Sequence, residues 1–567
     1  MTERIEDAAM KTMDQAVDPL GIMDAALALQ QAWLAQPEYL QQRLLTFQEE
    51  MVKVIDHACR CAMEVPTQDP VPPVAYDGRF HDPVWTSNPC LDLAKETYLL
   101  SSRWLMDTVY ETPGMDPRIR HRAAFWTRQM VDAASPDNIY LGNPEAQRRA
   151  IETGGRSLLR GMENWRHDAL ARDIPMQPSN AFRVGADLAT TPGRVVHRNR
   201  LFELIQYAPA TKEVHAVPIL FVPPWINKFY ILDLNPKRSL IAWLVEHGYT
   251  VFTMSWRNPG AEMRDTRFDD YLTEGVSEAV DVVREITGAP QVHGVGYCIG
   301  GTLLAAYLAW YEKGRARNRK PPVAHWSAFT TLVDFTDPGE ISAFIDEKII
   351  DAIERMMDGP GYLDGEAMAW SFRMLRPNTL IWNYYITRYL LGDEPEPFDV
   401  LFWNTDNTRM PQAMHSFYLR EFYLNNCLRE PDGITLAGKP IDLRRITQPL
   451  YNVATEQDHI APWRSVFRLP EVVSGPVRGV LATSGHILGI LSPPVDPPKR
   501  RYWAADATGI DDPEAWREQA PKTPGSWWED WDRWLAERCG PMQKPPSMGS
   551  KAHPPLEEAP GVYVHEK

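Results

Sequence analysis

The stretch His293-Gly294-Val295-Gly296-Tyr297-Cys298-Ile299-Gly300-Gly301 decides how the fold of this chain is interpreted. It has the form Gly-x-Cys-x-Gly, with a cysteine at the position where many hydrolases carry serine. An apolar run at residues 291–295 leads into it, and a run rich in small residues follows at 302–310. The pattern predicts a strand, a sharp turn and a helix, with Cys298 presented on the turn. The alternative is a glycine-rich turn around an inert, buried cysteine.

The glycines in this stretch have a physical reason. A sharp turn that holds a nucleophile on strained backbone needs neighbours without a Cβ atom, so that the strand and the helix can approach each other. The N-terminus of the following helix favours negative charge that develops on the Cys298 sulfur. The pattern therefore favours a nucleophilic thiol over an inert one.

The composition is that of a globular protein and excludes several functional classes. The 567 residues exceed what one ordinary core holds, so two domains or one much-decorated domain are expected. The formal net charge of −16 argues against a nucleic-acid partner and against an anionic membrane surface. No signal peptide is recognised at the N-terminus, and the longest apolar run, residues 216–225, is too short and too rich in proline to span a bilayer.

The six cysteines are few and irregularly spaced, and they form neither a disulfide framework nor a zinc pattern. A reducing cytoplasm fits this usage and would keep a catalytic thiol free. No residues show metal-ligand spacing, so neither a metal ion nor a separate cofactor is expected.

The hydrophobic pattern changes near residue 190. Residues 1–190 are predicted to form a mostly helical N-terminal domain, in which the proline-rich stretch 65–73 is a linker or an extended arm. Residues 191–567 are predicted to form the catalytic domain, because strands there alternate with helices, as in a largely parallel sheet covered on both faces. The expected strands are 202–207, 217–222, 250–255, 292–295, 326–333, 449–454 and 479–483.

Three segments of the second domain depart from this alternation. Residues 335–440 are rich in aromatic side chains and are interpreted as an inserted helical cap that excludes water, although most of these aromatics could simply fill a core. Four tryptophans between residues 527 and 534 share a helical face that either packs on the domain or docks onto a hydrophobic surface. Residues 544–567 hold prolines and charges and are predicted to form a surface tail.

A thiol nucleophile needs a base, and the base needs an acidic partner that orients it. In folds with this strand–turn–helix nucleophile, the acid and then the histidine follow along the chain. Asp458 and His486 each follow an expected strand, which places both at the carboxyl edge of the sheet, where ligands bind. His459 is a rival base, but neighbouring side chains in an extended loop point apart. Cys298, His486 and Asp458 are therefore the predicted catalytic residues.

Several long motifs resemble the polyhydroxyalkanoate synthases, which polymerise 3-hydroxyacyl-CoA. The motifs are PPWINKFYILDL at 223–234, SWRNP at 255–259, GYCIGG at 296–301, DHIAPW at 458–463 and SGHI at 484–487. The resemblance runs from about residue 75 to the C-terminus. It implies an α/β-hydrolase fold with an inserted helical cap, preceded by a mostly helical N-terminal domain, and it maps the family's catalytic residues onto Cys298, Asp458 and His486.

The resemblance also implies a reaction. Cys298 is expected to carry a hydroxyacyl thioester formed from (R)-3-hydroxyacyl-CoA, so that coenzyme A is part of the substrate and a product, and no other cofactor is needed. The oxyanion is expected to bind the backbone N–H groups of Ile299 and Ile226. The length resembles the single-subunit synthases. The GYCIGG turn resembles the short-chain type and residues 560–566 the medium-chain type, so 3-hydroxybutyryl-CoA is expected while chain-length preference stays open.

Further residues are candidates for binding the substrate. Leu488, two residues after the predicted base, is expected to border the acyl pocket. His459 is a candidate for substrate contact. Arg373 and Arg376 are candidates for the phosphates of coenzyme A, with solvation at the surface as the alternative.

The resemblance implies a homodimer in the cytoplasm, associated with polyhydroxyalkanoate granules, the growing polyester chain and granule-associated proteins. Two alternatives stay open. One is a cysteine-type α/β-hydrolase or acyl-CoA thioesterase, which the catalytic residues alone cannot separate from a polymerase, since water exclusion and the channel select the acceptor. The other is a non-catalytic granule-binding protein on a hydrolase scaffold.

Overall fold

The computed structural model describes residues 18–71, 77–171, 173–178, 180–316 and 318–567. The predicted helices in residues 1–17 and the end of the predicted linker, 72–73, lie outside this range. The described residues form two compact units. The first unit contains the residues up to 178 together with Ser342–Phe344 and Trp370–Pro397, and the second contains Asn180–Ile341, Ile345–Ala369 and Phe398–Lys567.

The first unit is helical, as predicted for the N-terminal region. Its longer helices are α1 (Ile22–Ala35), α2 (Pro37–Ala62), α3 (Pro89–Tyr110), α4 (Pro117–Ala133), α5 (Pro144–Glu152) and α6 (Arg156–Ala171). Asn88, Asp116 and Asn143 cap α3, α4 and α5 by accepting backbone N–H groups of the first turn. A proline follows each cap, where its fixed φ fits the helix and its missing N–H costs nothing. The local sequence therefore specifies where these three helices begin.

The second unit is built on a ten-stranded mixed sheet. Its strands are β1 (Gly193–Arg198), β2 (Phe202–Tyr207), β3 (Ile219–Val222), β4 (Val251–Trp256), β5 (Val292–Tyr297), β6 (Val323–Phe329), β7 (Leu450–Thr455), β8 (Val477–Ala482), β9 (Arg501–Asp506) and β10 (Lys522–Pro524). Their order across the sheet is β1-β2-β4-β3-β5-β6-β7-β8-β9-β10. The six strands from β4 to β8 in this order are parallel, and β1, β2, β9 and β10 pair antiparallel at the two edges.

The strand predictions hold best in the middle of the sheet. Strands β3, β4 and β5 are buried along their whole length, which produces the continuous apolar runs that the sequence displays. Strands β1, β9 and β10 were not predicted. They lie at the edges, where each strand has fewer buried neighbours and the apolar pattern is weaker.

Helices cover both faces of this sheet, and each face carries its own hydrophobic cluster. The longer helices are α7 (Leu240–Glu246), α8 (Glu278–Thr287), α9 (Ile299–Gly314), α10 (Glu347–Asp358), α11 (Gly365–Met374), α12 (Asp399–Thr405), α13 (Gln412–Phe417), α14 (Pro513–Gln519) and α15 (Trp528–Ala536). Trp527, Trp528 and Trp531 are at most 1% exposed, so the tryptophan-rich face packs on the domain and is not a docking surface. No described helix has the length and apolarity that crossing a bilayer requires.

Part of the predicted cap groups with the first unit. Within residues 335–440, Ser342–Phe344 and Trp370–Pro397 belong to that unit. Arg388 pairs there with Asp168 at 2.7 Å, and Gly161 of α6 lies so close to the Tyr389 carbonyl that a Cβ atom would overlap it. Long-range packing of this kind leaves no mark in the local pattern, which is why a single insertion was predicted.

The C-terminal segment differs from the predicted surface tail. The Leu556 N–H donates to the Val195 carbonyl, and the Val195 N–H donates to the Glu557 carbonyl, so the segment lies along β1. Val564 is 2% exposed, and the Lys228 ammonium donates to the carbonyls of Val564 and Glu566. Residues 556–567 are therefore anchored to the domain by these contacts, while Leu556 and Val562 keep exposed side chains.

Candidate active site

Cys298 lies on a sharp turn between β5 and α9. Its backbone has φ 53° and ψ −125°, a conformation that residues with a side chain rarely adopt. The Cys298 N–H donates to the Phe329 carbonyl at the end of β6, at 2.9 Å, and its carbonyl accepts from the Gly301 N–H at 2.9 Å. These bonds hold the strained residue in place, with a half-buried side chain at the start of the helix.

The glycines around Cys298 are required by close backbone approach, as the sequence analysis proposed. A Cβ atom at Gly296 would overlap the Gly301 backbone, and one at Gly300 would overlap the Val222 carbonyl at the end of β3. A Cβ atom at Gly301 would overlap the Thr331 hydroxyl. The strand, the helix and the neighbouring strand end therefore meet at the turn only because these side chains are absent.

Asp458 and His486 follow the neighbouring parallel strands β7 and β8, and the structure brings them together. The Asp458 Oδ2 atom lies 2.7 Å from Nδ1 of His486. The other carboxylate oxygen, Oδ1, accepts the backbone N–H groups of Ile460 and Ala461, both at 2.8 Å. The carboxylate is therefore fixed on one side by backbone donors and orients the imidazole with its other oxygen.

Cys298 is the third member of this arrangement, since its sulfur interacts electrostatically with the His486 imidazole. Burial works against a charged imidazolium, but the Asp458 carboxylate and the Cys298 sulfur outweigh it and raise the pKa of His486 to about 10. Tyr297 stacks on the imidazole, with ring centroids 5.6 Å apart, and its hydroxyl donates to the His486 carbonyl at 3.2 Å. The site thus favours a charged imidazolium beside the Cys298 sulfur.

Two tyrosines near the thiol were not singled out from the sequence. Tyr418 and Tyr423 lie in the segment Tyr418–Leu424 that continues α13, and their ring centroids are 5.2 Å apart. Burial raises the pKa of both phenols, and negative charge on Cys298 raises them further, so both hydroxyls stay protonated donors. In the sequence they are indistinguishable from the other aromatics of the predicted cap, because nothing local marks which rings face the sulfur.

The loop after β3 carries Ile226, the expected second oxyanion donor. The Thr408 hydroxyl donates to the Trp225 carbonyl at 2.7 Å and also lies within hydrogen-bonding distance of the Ile226 carbonyl. In a trans peptide the N–H points opposite to the C=O, so the bonded Trp225 carbonyl aims the Ile226 N–H away from Thr408. Ile299 is the first residue of α9, and its N–H has no acceptor one turn earlier in the helix.

Two other predicted residues lie in the second unit. Leu488 is partly buried and packs on the same hydrophobic cluster as Cys298. His459 is half-buried beside Asp458. The structure pairs Asp458 with His486, as the chain order predicts.

The two candidate CoA-binding arginines lie in the first unit. Arg373 is buried, pairs with Asp173 at 2.6 Å and lies 5.1 Å from the centroid of the Trp370 ring. Arg376 lines a cavity of about 880 Å³ within the same unit, together with Arg128 and Asn378. Arg373 is thus engaged in packing within its unit, and Arg376 is one of the residues that line the cavity.

Groups of His, Cys, Asp or Glu close enough to share one metal ion occur among the described residues only in the first unit. They involve His57, Cys61 and Asp92, and Asp69, Asp92 and Glu96. The predicted catalytic residues are not among them.

Two family patterns match the chain. The pattern described as Poly-beta-hydroxybutyrate polymerase (PhaC) N-terminus matches residues 76–244, and that of the alpha/beta hydrolase fold matches residues 217–318. The first match covers much of the helical unit and the start of the sheet, and the second covers the strands and helices from β3 to α9.

Curated relatives align over most of the chain. Poly(3-hydroxyalkanoate) polymerase of Methylorubrum extorquens is 43% identical, over 95% of this chain and 88% of its own. Poly(3-hydroxyalkanoate) polymerase subunit PhaC of Rhizobium etli is 42% identical, over 88% of this chain and 78% of its own. The subunit of the same name from Cupriavidus necator is 40% identical, over 87% of this chain and 83% of its own.

Proposed function

This chain belongs to the poly(3-hydroxyalkanoate) polymerases, an acyltransferase family with an α/β-hydrolase fold, and we propose that it builds the polyester through a covalent acyl intermediate on Cys298. His486 acts as the base in this proposal, and Asp458 orients it. The observation that carries the proposal is the arrangement of a strained Cys298 whose sulfur interacts with His486, with Oδ2 of Asp458 2.7 Å from Nδ1 of that imidazole. The geometry matches what a nucleophile, base and orienting acid require.

In the first step the Cys298 thiolate attacks the thioester carbonyl of a hydroxyacyl-CoA. The carbonyl oxygen becomes an oxyanion, which binds the N–H groups of Ile299 and Ile226. The C–S bond to coenzyme A then breaks, and the departing thiolate takes the proton that His486 holds. The products are free coenzyme A, a hydroxyacyl thioester on Cys298 and a neutral imidazole.

The neutral imidazole is then available for chain growth. His486 removes the proton from the attacking hydroxyl, which belongs to a second hydroxyacyl group. The oxygen attacks the Cys298 thioester, an oxygen ester forms, and the Cys298 sulfur leaves as a thiolate beside the imidazolium. Because a thioester is converted to a more stable oxygen ester, the step needs no external energy source. The Tyr418 and Tyr423 phenols are candidate donors to the incoming group.

The substrate we propose is (R)-3-hydroxybutyryl-CoA, with coenzyme A as the leaving group and no separate cofactor. The support is the GYCIGG turn, which resembles the short-chain type. Leu488 is proposed to border the acyl group, since it packs with Cys298 in one cluster. Arg373, which is paired with Asp173, and Arg376, which lines a cavity, both stay candidates for contact with a CoA phosphate. His459 stays a candidate for substrate contact.

The proposed setting is a homodimer in the cytoplasm at the surface of polyester granules, with granule-associated proteins as further partners. This part rests on the resemblance to the family. Equilibrium sedimentation with and without substrate analogue would measure the oligomeric state, and a monomer under both conditions would contradict the dimer.

The proposed reaction is tested by incubating the protein with (R)-3-hydroxybutyryl-CoA. We expect free coenzyme A together with insoluble polyester, and mass spectrometry of the quenched enzyme should place the acyl group on Cys298. Release of free hydroxy acid without polymer would identify a thioesterase. Absence of acylation would identify a non-catalytic scaffold. Cys298→Ala should lose both acylation and polymer.

A further inference from the structure

A second cluster of chemically reactive side chains lies in the helical unit, apart from the residues that the proposed reaction uses. His57 and Cys61 are four residues apart on α2 and therefore share one face of that helix. Asp92 lies in the first turn of α3. The three side chains meet: Nε2 of His57 is 2.7 Å from Oδ2 of Asp92, and Sγ of Cys61 is 3.5 Å from that nitrogen and 3.7 Å from that oxygen.

These separations resemble those between the ligands of one tetrahedral metal ion. Zinc bonds of about 2.3 Å to sulfur and about 2.0 Å to nitrogen or oxygen put neighbouring ligand atoms roughly 3.5 Å apart. The two distances to the sulfur already match. The distance between Nε2 of His57 and Oδ2 of Asp92 would have to increase by roughly half an ångström, and the proton that the two groups share would be released when the ion binds.

Charge at the cluster favours a further cation. Asp92 and Glu96 are at most 1% exposed, and Asp69 lies beside them. The Lys95 ammonium is 2.9 Å from Asp69, 3.1 Å from Asp92 and 3.1 Å from Glu96. One ammonium thus faces three carboxylates, and Asp92 keeps its Oδ2 atom for His57 and Cys61 while Lys95 pairs with its Oδ1 atom.

The surroundings also orient the imidazole as a metal ligand requires. The second ring nitrogen of His57, Nδ1, lies 3.3 Å from the Thr67 hydroxyl. A partner at that atom fixes the ring and leaves Nε2 directed at Cys61 and Asp92, which is the usual arrangement behind a ligating histidine. His57 itself is 4% exposed, so its position is set by packing.

We propose that His57, Cys61 and Asp92 bind one Zn²⁺ ion, with a water molecule as the fourth ligand. A nitrogen, a thiolate and a carboxylate suit zinc, and the two negative ligands balance its charge. The ion would join the end of α2 to the start of α3. It would also steady the segment between them, whose Thr67 contacts His57 and whose Val71 N–H donates to Glu96 at 2.9 Å.

This site departs from the sequence analysis, which finds no zinc pattern. Only two of the three ligands are close in sequence, and they are separated by one helical turn instead of a short Cys-x-x-Cys loop. The third ligand becomes a neighbour only when α3 packs on α2.

The test uses the full-length protein and metal ions alone. After expression in zinc-supplemented medium and dialysis against metal-free buffer, we expect about one zinc per chain. After removal of zinc and addition of Co²⁺, we expect the visible bands of tetrahedral cobalt and a thiolate-to-cobalt charge-transfer band in the near ultraviolet. Zinc-edge X-ray absorption of the unmodified protein should show one sulfur among nitrogen and oxygen ligands.

Matched variants assign the signal to this cluster. Cys61→Ser should lose the charge-transfer band and bind zinc at least tenfold more weakly. Cys59→Ser, an exposed thiol two residues away on α2, should leave both unchanged. Cys298→Ser should also keep the band, which separates this site from the proposed catalytic thiol. No cobalt–thiolate band in the unmodified protein, a band that survives Cys61→Ser, or an absorption spectrum without sulfur would overturn the proposal, whether or not the variants fold.

Discussion

Asp458 and His486 meet across two neighbouring parallel strands, with Oδ2 of the carboxylate 2.7 Å from Nδ1 of the imidazole. Strands β7 and β8 pair directly, so the loops that follow them start side by side at one edge of the sheet. The backbone donors on Oδ1 leave only Oδ2 for the histidine. The two carboxylate oxygens therefore have different partners, and an amide in place of the carboxylate would change the contact with His486 alone.

Replacing Asp458 with asparagine should preserve the fold and lower kcat. The amide oxygen can still accept from Ile460 and Ala461, but the amide nitrogen then faces Nδ1 of His486 and favours the wrong tautomer. We expect a loss of kcat of about 10²- to 10⁴-fold. Coenzyme A release measures it, and unchanged circular dichroism is the control. A kcat within threefold of the unmodified enzyme would show that the Asp458 carboxylate is not needed to orient His486.

The pH dependence of the free energy of unfolding should reflect the raised pKa of His486. Its folded pKa of about 10 exceeds the ordinary value of 6.5, so its contribution to stability is fully present below pH 6.5 and is lost as pH rises through 10. The unmodified protein should therefore lose more stability than Asp458→Asn between these pH values. Denaturant unfolding of both proteins at several pH values checks this. Parallel profiles for the two proteins would contradict the raised pKa.

Adding a methyl group at Gly300 should disrupt the turn. The new Cβ atom would overlap the Val222 carbonyl, and backbone cannot move away as cheaply as a side chain. We expect Gly300→Ala to reduce the free energy of unfolding by about 1–3 kcal/mol and to abolish polymer formation. Gly359→Ala is the matched control, since a Cβ atom there meets nothing within 4 Å. Equal effects of the two substitutions would argue against close packing at the turn.

Thr408 should act as a positioning residue for the proposed oxyanion loop. Thr408→Val keeps the shape of the side chain but removes the bonds to the Trp225 and Ile226 carbonyls. We expect kcat to fall about tenfold with little change in KM, because a misplaced N–H weakens transition-state binding more than substrate binding. Thr405→Val, which removes a bond to the Phe402 carbonyl, is the control. A change confined to KM would place Thr408 in substrate binding instead.

Lys228 should connect the C-terminal segment to the same loop. Lys228→Met leaves the Val564 carbonyl without its donor and the Glu566 carbonyl with only the Asn258 amide at 3.5 Å, and we expect it to destabilise the protein by about 1–3 kcal/mol. Hydrogen exchange should also become faster at residues 562–567. The control is Lys551→Met, an exposed lysine of the same segment, which should change neither measurement. Unchanged exchange in Lys228→Met would show that the other contacts of the segment, such as those to β1 and to Glu203, are enough to hold it.

Much of the candidate active site could be predicted from the chain order and the strand boundaries. Asp458 and His486 were chosen because each follows an apolar run, and the structure places both loops at one sheet edge. The contacts of the arginines in the predicted cap were harder to predict, because Arg373 pairs with Asp173, which lies some two hundred residues away in the sequence. No local pattern encodes a partner at that distance. The same holds for Gly161, whose close approach to Tyr389 decides which unit that segment joins.

The sequence by itself determined the turn at Cys298, because the apolar strand, the glycines around the cysteine and the small-residue helix form a local pattern, although the atoms that Gly300 and Gly301 avoid belong to distant segments. It also determined the buried parallel strands, whose apolar runs reflect burial on both faces. Only the tertiary structure decided which aromatic rings face Cys298, which hydroxyl steadies the loop at Ile226, and that Asp92 joins His57 and Cys61. Those relationships depend on contacts between distant segments, and a side chain in the sequence carries no sign of the neighbour that packing gives it.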